Sequence, residues 1–164
     1  MKLFLLRHAT ATDVAPNDEE RALTQEGREE ARIAGAALAR MSVKPSYVLS
    51  SPLVRARQTA EIAAKSLKFA KQVELIDELE NGTTTANLLK ALKSCVSDSE
   101  IILVGHMPSL AEHLAALIGS ENADAFPIGK GGVACLQLQP LRAGAGQLRW
   151  LMRQKQLRHI TGQI

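Results

Sequence analysis

Aromatic residues are scarce in this chain: one Trp, one Tyr and three Phe among 164 residues. That leaves little surface on which bases could stack, which argues against a nucleic-acid partner. Cysteine is also scarce, with only Cys95 and Cys135. Both stand among apolar residues and read as free thiols of a reducing compartment, not as a disulfide framework. No stretch approaches the ~20 apolar residues of a membrane span. One lysine and a short apolar run precede Arg7, too little for a signal peptide. Repeats and low-complexity segments are absent. These absences lead to the expectation of a cytoplasmic protein with no membrane partner.

The length suits one domain over residues 1–164. A chain of this size buries roughly 70% of its unfolded surface, so it needs no disulfide or metal staple. The net charge of +3 is uneven. Arg142, Arg149, Arg153, Lys155 and Arg158 are basic in a final segment that has no acidic residue. With so few aromatics, that segment reads as a solvated basic face.

What the chain does have is a recurring strand-end pattern. Leu3–Leu6 is an apolar run followed by Arg7-His8. Ile101–Val104 is another, followed by Gly105-His106. Tyr47–Ser50 is a third, followed by Ser51-Pro52-Leu53-Val54-Arg55. Thr24 suits the cap of a helix running to about Arg40, with Ala31, Ala34, Ala37 and Leu38 as its apolar stripe. Glu26, Glu29 and Glu30 suit its positive end. Ser51 is read as the cap of a second helix, with Pro52 in its first position. Val73–Ile76 reads as a strand, 77–85 as a loop, 86–95 as a helix, and Pro108 as the opening of a helix to Ile118. Val133–Leu138 and Gln147–Met152 read as strands near a sheet edge. The expected fold is a three-layer α-β-α sandwich with a mostly parallel sheet and helices on both faces.

Ligands of such folds bind at the carboxyl ends of the strands. Arg7, His8 and His106 stand there. Arg55 lies in the first turn of its helix and reaches the same edge, whereas Arg57, two positions on, faces elsewhere. Two arginines, two histidines and a helix N-terminus in a small volume call for an anion, best matched by a phosphate. Metal-ligand spacing is lacking, so no metal and no cofactor are expected. Gly129-Lys130-Gly131-Gly132 fails the P-loop pattern. His113 and His159 read as incidental.

These segments resemble the motifs of the histidine phosphatase superfamily, the phosphoglycerate-mutase-like fold. Arg7-His8-Ala9-Thr10 is similar to its first motif, Ser51 through Ala60 to its second, and Gly105-His106 to its third. Arg21-Ala22-Leu23-Thr24-Gln25-Glu26-Gly27, so soon after the first motif, resembles the SixA-type phosphohistidine phosphatases. Ala9 stands where the family usually has glycine. The resemblance implies a general acid between the second and third motifs. Here Glu78 and Glu80 are the candidates, without the aromatic residues many relatives carry.

The chemistry needs a nucleophile that is strong at neutral pH and leaves easily. His8 is assigned that role, giving a phospho-His8 intermediate. Arg7, Arg55 and His106 are assigned to the phosphate oxygens. Arg21 is expected to close over the phosphate from its loop. A weak or absent acid favours phosphohistidine or another activated phosphate, and the polar 10–22 loop and basic tail leave room for a protein-sized substrate. The alternatives are a broad small-molecule phosphomonoesterase and a phosphate-binding module without turnover.

Overall fold

A computed structural model describes residues 1–163. Among these residues, six strands form one sheet in the order β3-β2-β4-β1-β5-β6. They are β1 Lys2–Arg7, β2 Tyr47–Ser50, β3 Glu74–Leu75, β4 Glu100–Gly105, β5 Val133–Leu138 and β6 Gly146–Met152. The pairs β1–β4, β4–β2 and β2–β3 are parallel; β5 and β6 join antiparallel beyond β1, with β6 at the edge. The α-helices are α1 Gln25–Arg40, α2 Val54–Ser66, α3 Thr85–Leu92, α4 Ser109–Ile118 and α5 Gln154–Thr161. None of them is long and apolar enough to cross a membrane.

The central strands are apolar throughout because both sides of the sheet are covered. Phe4, Leu6, Ile102 and Val104 face α1, α2 and α5, where Ile33, Leu38, Ala60 and Leu157 meet them. Leu3, Leu5, Ile101 and Leu103 face α3 and α4, where Leu88, Leu92, Leu110 and Leu114 close the other layer. The expected three-layer sandwich is the observed one. The stripe Ala31, Ala34, Ala37 and Leu38 is fully buried, and its small side chains let α1 and α2 pack closely.

Several boundaries differ from the sequence reading. Helix α2 begins at Val54, so Ser51 and Pro52 lie before it and Ser51 is no cap. The Ser51 hydroxyl is engaged elsewhere, by His106. Strand β3 is only two residues long, and a 3-10 turn at Asp77–Leu79 follows it. Helix α5 has no counterpart in the sequence reading, which took this stretch only as a solvated basic face; it is eight residues long, with Leu157 its one fully buried side chain. Burying that leucine contributes roughly 1.5–3 kcal/mol toward docking the helix, and Ile160 packs on the same core.

Candidate active site

The parallel register sets the site. Arg7 pairs with Gly105 across β1 and β4, and Ser50 pairs with Val104 across β2 and β4. His8, His106 and Ser51 therefore emerge at one level, one residue past three adjacent strand ends. The rings of His8 and His106 are tilted against each other with centroids 5.1 Å apart.

His8 is buried, and its Nδ1 lies 2.8 Å from the Ala9 carbonyl oxygen. A carbonyl only accepts, so Nδ1 carries the proton and Nε2 presents a lone pair. The Ala9 peptide is held in turn. Its N–H donates to Thr59 Oγ1 at 3.0 Å, and that hydroxyl donates to the Arg55 carbonyl at 2.7 Å. Burial pushes the His8 imidazole down to about 3; the Ala9 bond opposes this, and the charges of His106, Arg55 and Arg7 add to it. The ring is neutral at physiological pH.

His106 is equally buried. Its Nε2 lies 2.8 Å from Ser51 Oγ. The Leu53 N–H donates to the same hydroxyl oxygen at 3.4 Å, and among the described residues His106 Nε2 is the one acceptor that the buried hydroxyl's proton meets, which assigns that proton to Nε2. Nδ1 of His106 then bears the ring proton. Burial lowers this histidine to about 4, with Arg55 and Arg7 adding and Asp18 opposing.

The two arginines are tethered from outside the cluster. Arg7 Nη1 donates to the Ile128 carbonyl at 3.0 Å. That loop also holds the Arg7-His8 backbone: Arg7 N donates to the Gly132 oxygen, and Gly131 N to the Arg7 oxygen. Gly131 sits at φ +63°, where a side chain would be strained. Arg55, 7% exposed, donates through Nη1 to the Asp18 carbonyl at 2.7 Å and through Nη2 to Asp18 Oδ2 at 3.0 Å. Arg57 points outward, 3.8 Å from Glu61.

Among the described residues, Arg7 Nε, Arg55 Nε and His106 Nδ1 are buried without a hydrogen-bond partner. An unsatisfied buried polar group costs about 1–3 kcal/mol, so three in one cluster are a standing demand for an acceptor. A tetrahedral oxyanion supplies several acceptor oxygens at once. No three His, Cys, Asp or Glu side chains gather among the described residues where a metal ion could sit.

The remaining candidates lie further out. Arg21 donates to the Thr12 carbonyl, to Asp18 Oδ1 and to Asp13 Oδ1, so its guanidinium braces its own loop. Glu78 and Glu80 stand in and just after the 3-10 turn, which packs against β4. Their carbonyls accept from Thr83 Oγ1, and their carboxylates hydrogen-bond none of the cluster's residues. His113 is buried beneath that segment, with Nδ1 2.9 Å from Thr85 Oγ1, apart from the strand-end cluster. Sequence reasoning missed Asp18, Ser51 and Thr59 as partners of the cluster. Ser51 and Thr59 lie within the second motif without a role in the cluster being read for them, and Asp18 reaches Arg55 across thirty-seven positions, which no local pattern shows.

Helix α1 presses on the same loop. Thr24 Oγ1 accepts from Gly27 N as the expected cap, and it donates to the Thr10 carbonyl. A Cβ at position 27 would sit 1.9 Å from that carbonyl oxygen, so only glycine permits the approach.

Comparison with known proteins agrees with this geometry. Phosphohistidine phosphatase SixA of Escherichia coli (strain K12) is 28% identical over 156 residues, covering 93% of each chain. The structure of the protein histidine phosphatase SixA complexed with tungstate superimposes with a TM-score of 0.86 at 26% identity, covering 96% of this chain and 99% of that one. The putative SixA of Agrobacterium tumefaciens superimposes at 0.76 with 28% identity, over 92% and 96%. The family model for branch 1 of the histidine phosphatase superfamily matches residues 3–86, which carry both His8 and Arg55. This chain belongs to the histidine phosphatase superfamily.

Proposed function

We propose that the chain is a metal-independent phosphohistidine phosphatase that acts on a phosphorylated protein through a phospho-His8 intermediate. The observation that carries this reading is the state of His8: neutral, its Nδ1 proton donated to Ala9, in a cluster where Arg7 Nε, Arg55 Nε and His106 Nδ1 lack partners. The similar SixA structure is complexed with tungstate, a tetrahedral oxyanion, which supports phosphate as the group held here.

In the first step His8 Nε2 attacks phosphorus. The bond from phosphorus to the substrate's imidazole nitrogen breaks, and the electron pair leaves with that nitrogen. Arg7, Arg55 and His106 Nδ1–H stabilise charge on the phosphoryl oxygens. In the second step water attacks phosphorus, its proton passes to the phosphate, and His8 departs with its lone pair restored. The arginines supply the positive charge that a metal would otherwise bring.

The substrate class is set by the leaving group. A protonated phosphohistidine expels neutral imidazole, whose conjugate acid has a pKa of ~6.5. An alkoxide, with water at ~16 as a guide, needs a proton donor. Glu78 and Glu80 are the candidate acids and lack the aromatic surroundings many relatives carry, so an activated phosphate suits the site best. The free thiols Cys95 and Cys135 fit a reducing, cytoplasmic setting.

The test compares kcat/KM for a phosphohistidine-bearing protein with that for an alkyl phosphate. A preference of orders of magnitude for phosphohistidine is expected, with Glu78→Gln and Glu80→Gln leaving that turnover nearly unchanged. Efficient alkyl phosphate hydrolysis that either glutamine variant abolishes would make this a small-molecule phosphomonoesterase with a working acid.

A further inference from the structure

We propose that Glu30 is a positioning residue for His8, acting through the single peptide plane that joins Ala9 to Thr10. The inference rests on His8 as the nucleophile. One amide carries both halves of the link. Its carbonyl, from Ala9, accepts from His8 Nδ1 at 2.8 Å. Its N–H, from Thr10, donates to Glu30 Oε2 at 2.8 Å. The Thr10 hydroxyl donates to the other carboxylate oxygen at 3.2 Å. Turning the plane would break the bonds at both ends together, so Glu30 locks the carbonyl that sets the His8 tautomer.

Charge adds to geometry. A carboxylate on the N–H polarises the amide and makes its carbonyl a stronger acceptor, because hydrogen bonds in a chain reinforce one another. That favours the proton on Nδ1 and leaves Nε2 the better electron donor. The arrangement resembles a carboxylate-histidine pair with a peptide group between the partners.

Glu30 is placed to do this. It lies in α1 and is 8% exposed. Among the described residues it forms no ion pair with a basic side chain, and a buried carboxylate without one is costly. A glutamine could accept from the Thr10 N–H but would turn a donor toward the Thr10 hydroxyl, so two accepted bonds suit a carboxylate. The segment is also anchored. Gln154 Nε2 donates to the Glu30 carbonyl at 2.9 Å and to the Gly131 carbonyl at 2.8 Å. One side chain of α5 thereby fixes α1 to the loop that holds Arg7.

The experiment uses the full chain with Glu30→Ala and Glu30→Gln. Nitrogen-15 spectra of labelled histidine report the His8 tautomer without reference to turnover. Rapid-quench measurement of phospho-His8 formation reports the transfer step, and titration with inorganic phosphate reports the pocket. Glu30→Ala is expected to give mixed His8 tautomers and to slow transfer roughly tenfold to a hundredfold, the range for outer-sphere orienting groups. Phosphate affinity should stay close to that of the wild type. Glu30→Gln should keep the Nδ1–H form, with a rate between the other two. An unchanged His8 spectrum in Glu30→Ala, a wild-type rate in Glu30→Gln, or a rate loss matched by an equal loss of phosphate affinity would each overturn the proposal. If the wild type turned over no phosphohistidine, the proposed substrate would fall, while the spectra would still decide the role of Glu30.

Discussion

Acidification from pH 7.5 to 5.0 should destabilise this protein well before its carboxylates titrate. His8, His106 and His113 are buried, and burial depresses them to about 3, about 4 and about 4. An unfolded histidine titrates near ~6.5. Below that pH the unfolded chain binds protons that the folded chain refuses, so stability is complete above ~6.5 and falls as pH drops toward the folded values. At pH 5.0 the gap is about one and a half units, worth about 2 kcal/mol for each histidine. His113 gives the clean measurement because it lies apart from the cluster, packed on Thr85. The perturbation is His113→Gln, which keeps a polar partner for Thr85 and removes the titration. Urea unfolding is followed through Trp150, the only tryptophan, which packs against Phe4. Wild-type stability should fall by at least ~2 kcal/mol between the two pH values, with a ceiling of about 6 if the three histidines add. In His113→Gln the fall should be smaller by about 2 kcal/mol. Asp18 and Glu29 are also held below the ordinary carboxylate range, by hydrogen bonds from arginines, but their window lies below about pH 4–5. Identical pH slopes in the two proteins, or a wild-type loss under ~1 kcal/mol, would refute the reasoning.

His8→Ala should abolish phosphatase activity and leave circular dichroism unchanged; more than a few per cent of wild-type turnover would remove His8 as nucleophile. Arg55→Ala should cost at least ~10²-fold in turnover, whereas Arg57→Ala, on the outward side of α2, should cost little. Equal losses in a side-by-side assay would mean that the two faces of α2 do not differ in function. A chelator should leave turnover unchanged, and inhibition that added zinc or magnesium reverses would sink the metal-free mechanism.

Much of this molecule is determined by the sequence alone. Apolar runs such as Leu3–Leu6 and Ile101–Val104 are local patterns, and a fully covered strand admits little else. The residues just past these runs, Arg7-His8 and Gly105-His106, must then stand at strand ends, so the cluster's members are legible without coordinates. Helix α1 is legible for the same reason, from the Thr24 cap to the alanine stripe. Helix α5 is not, because eight residues form no stable helix alone and its place is set by docking Leu157 into the core on the α1 side. Tertiary structure alone decided what each side chain in the cluster touches. Glu30 sits twenty positions beyond Thr10, and Ser51 reaches His106 across fifty-five. Asp18 reaches Arg55 across thirty-seven, and Arg21 is drawn onto its own loop instead of into the cluster. These partnerships set how His106 is held and which edge of Arg55 stays unpaired. They depend on strand register and helix docking, and a one-dimensional pattern carries neither.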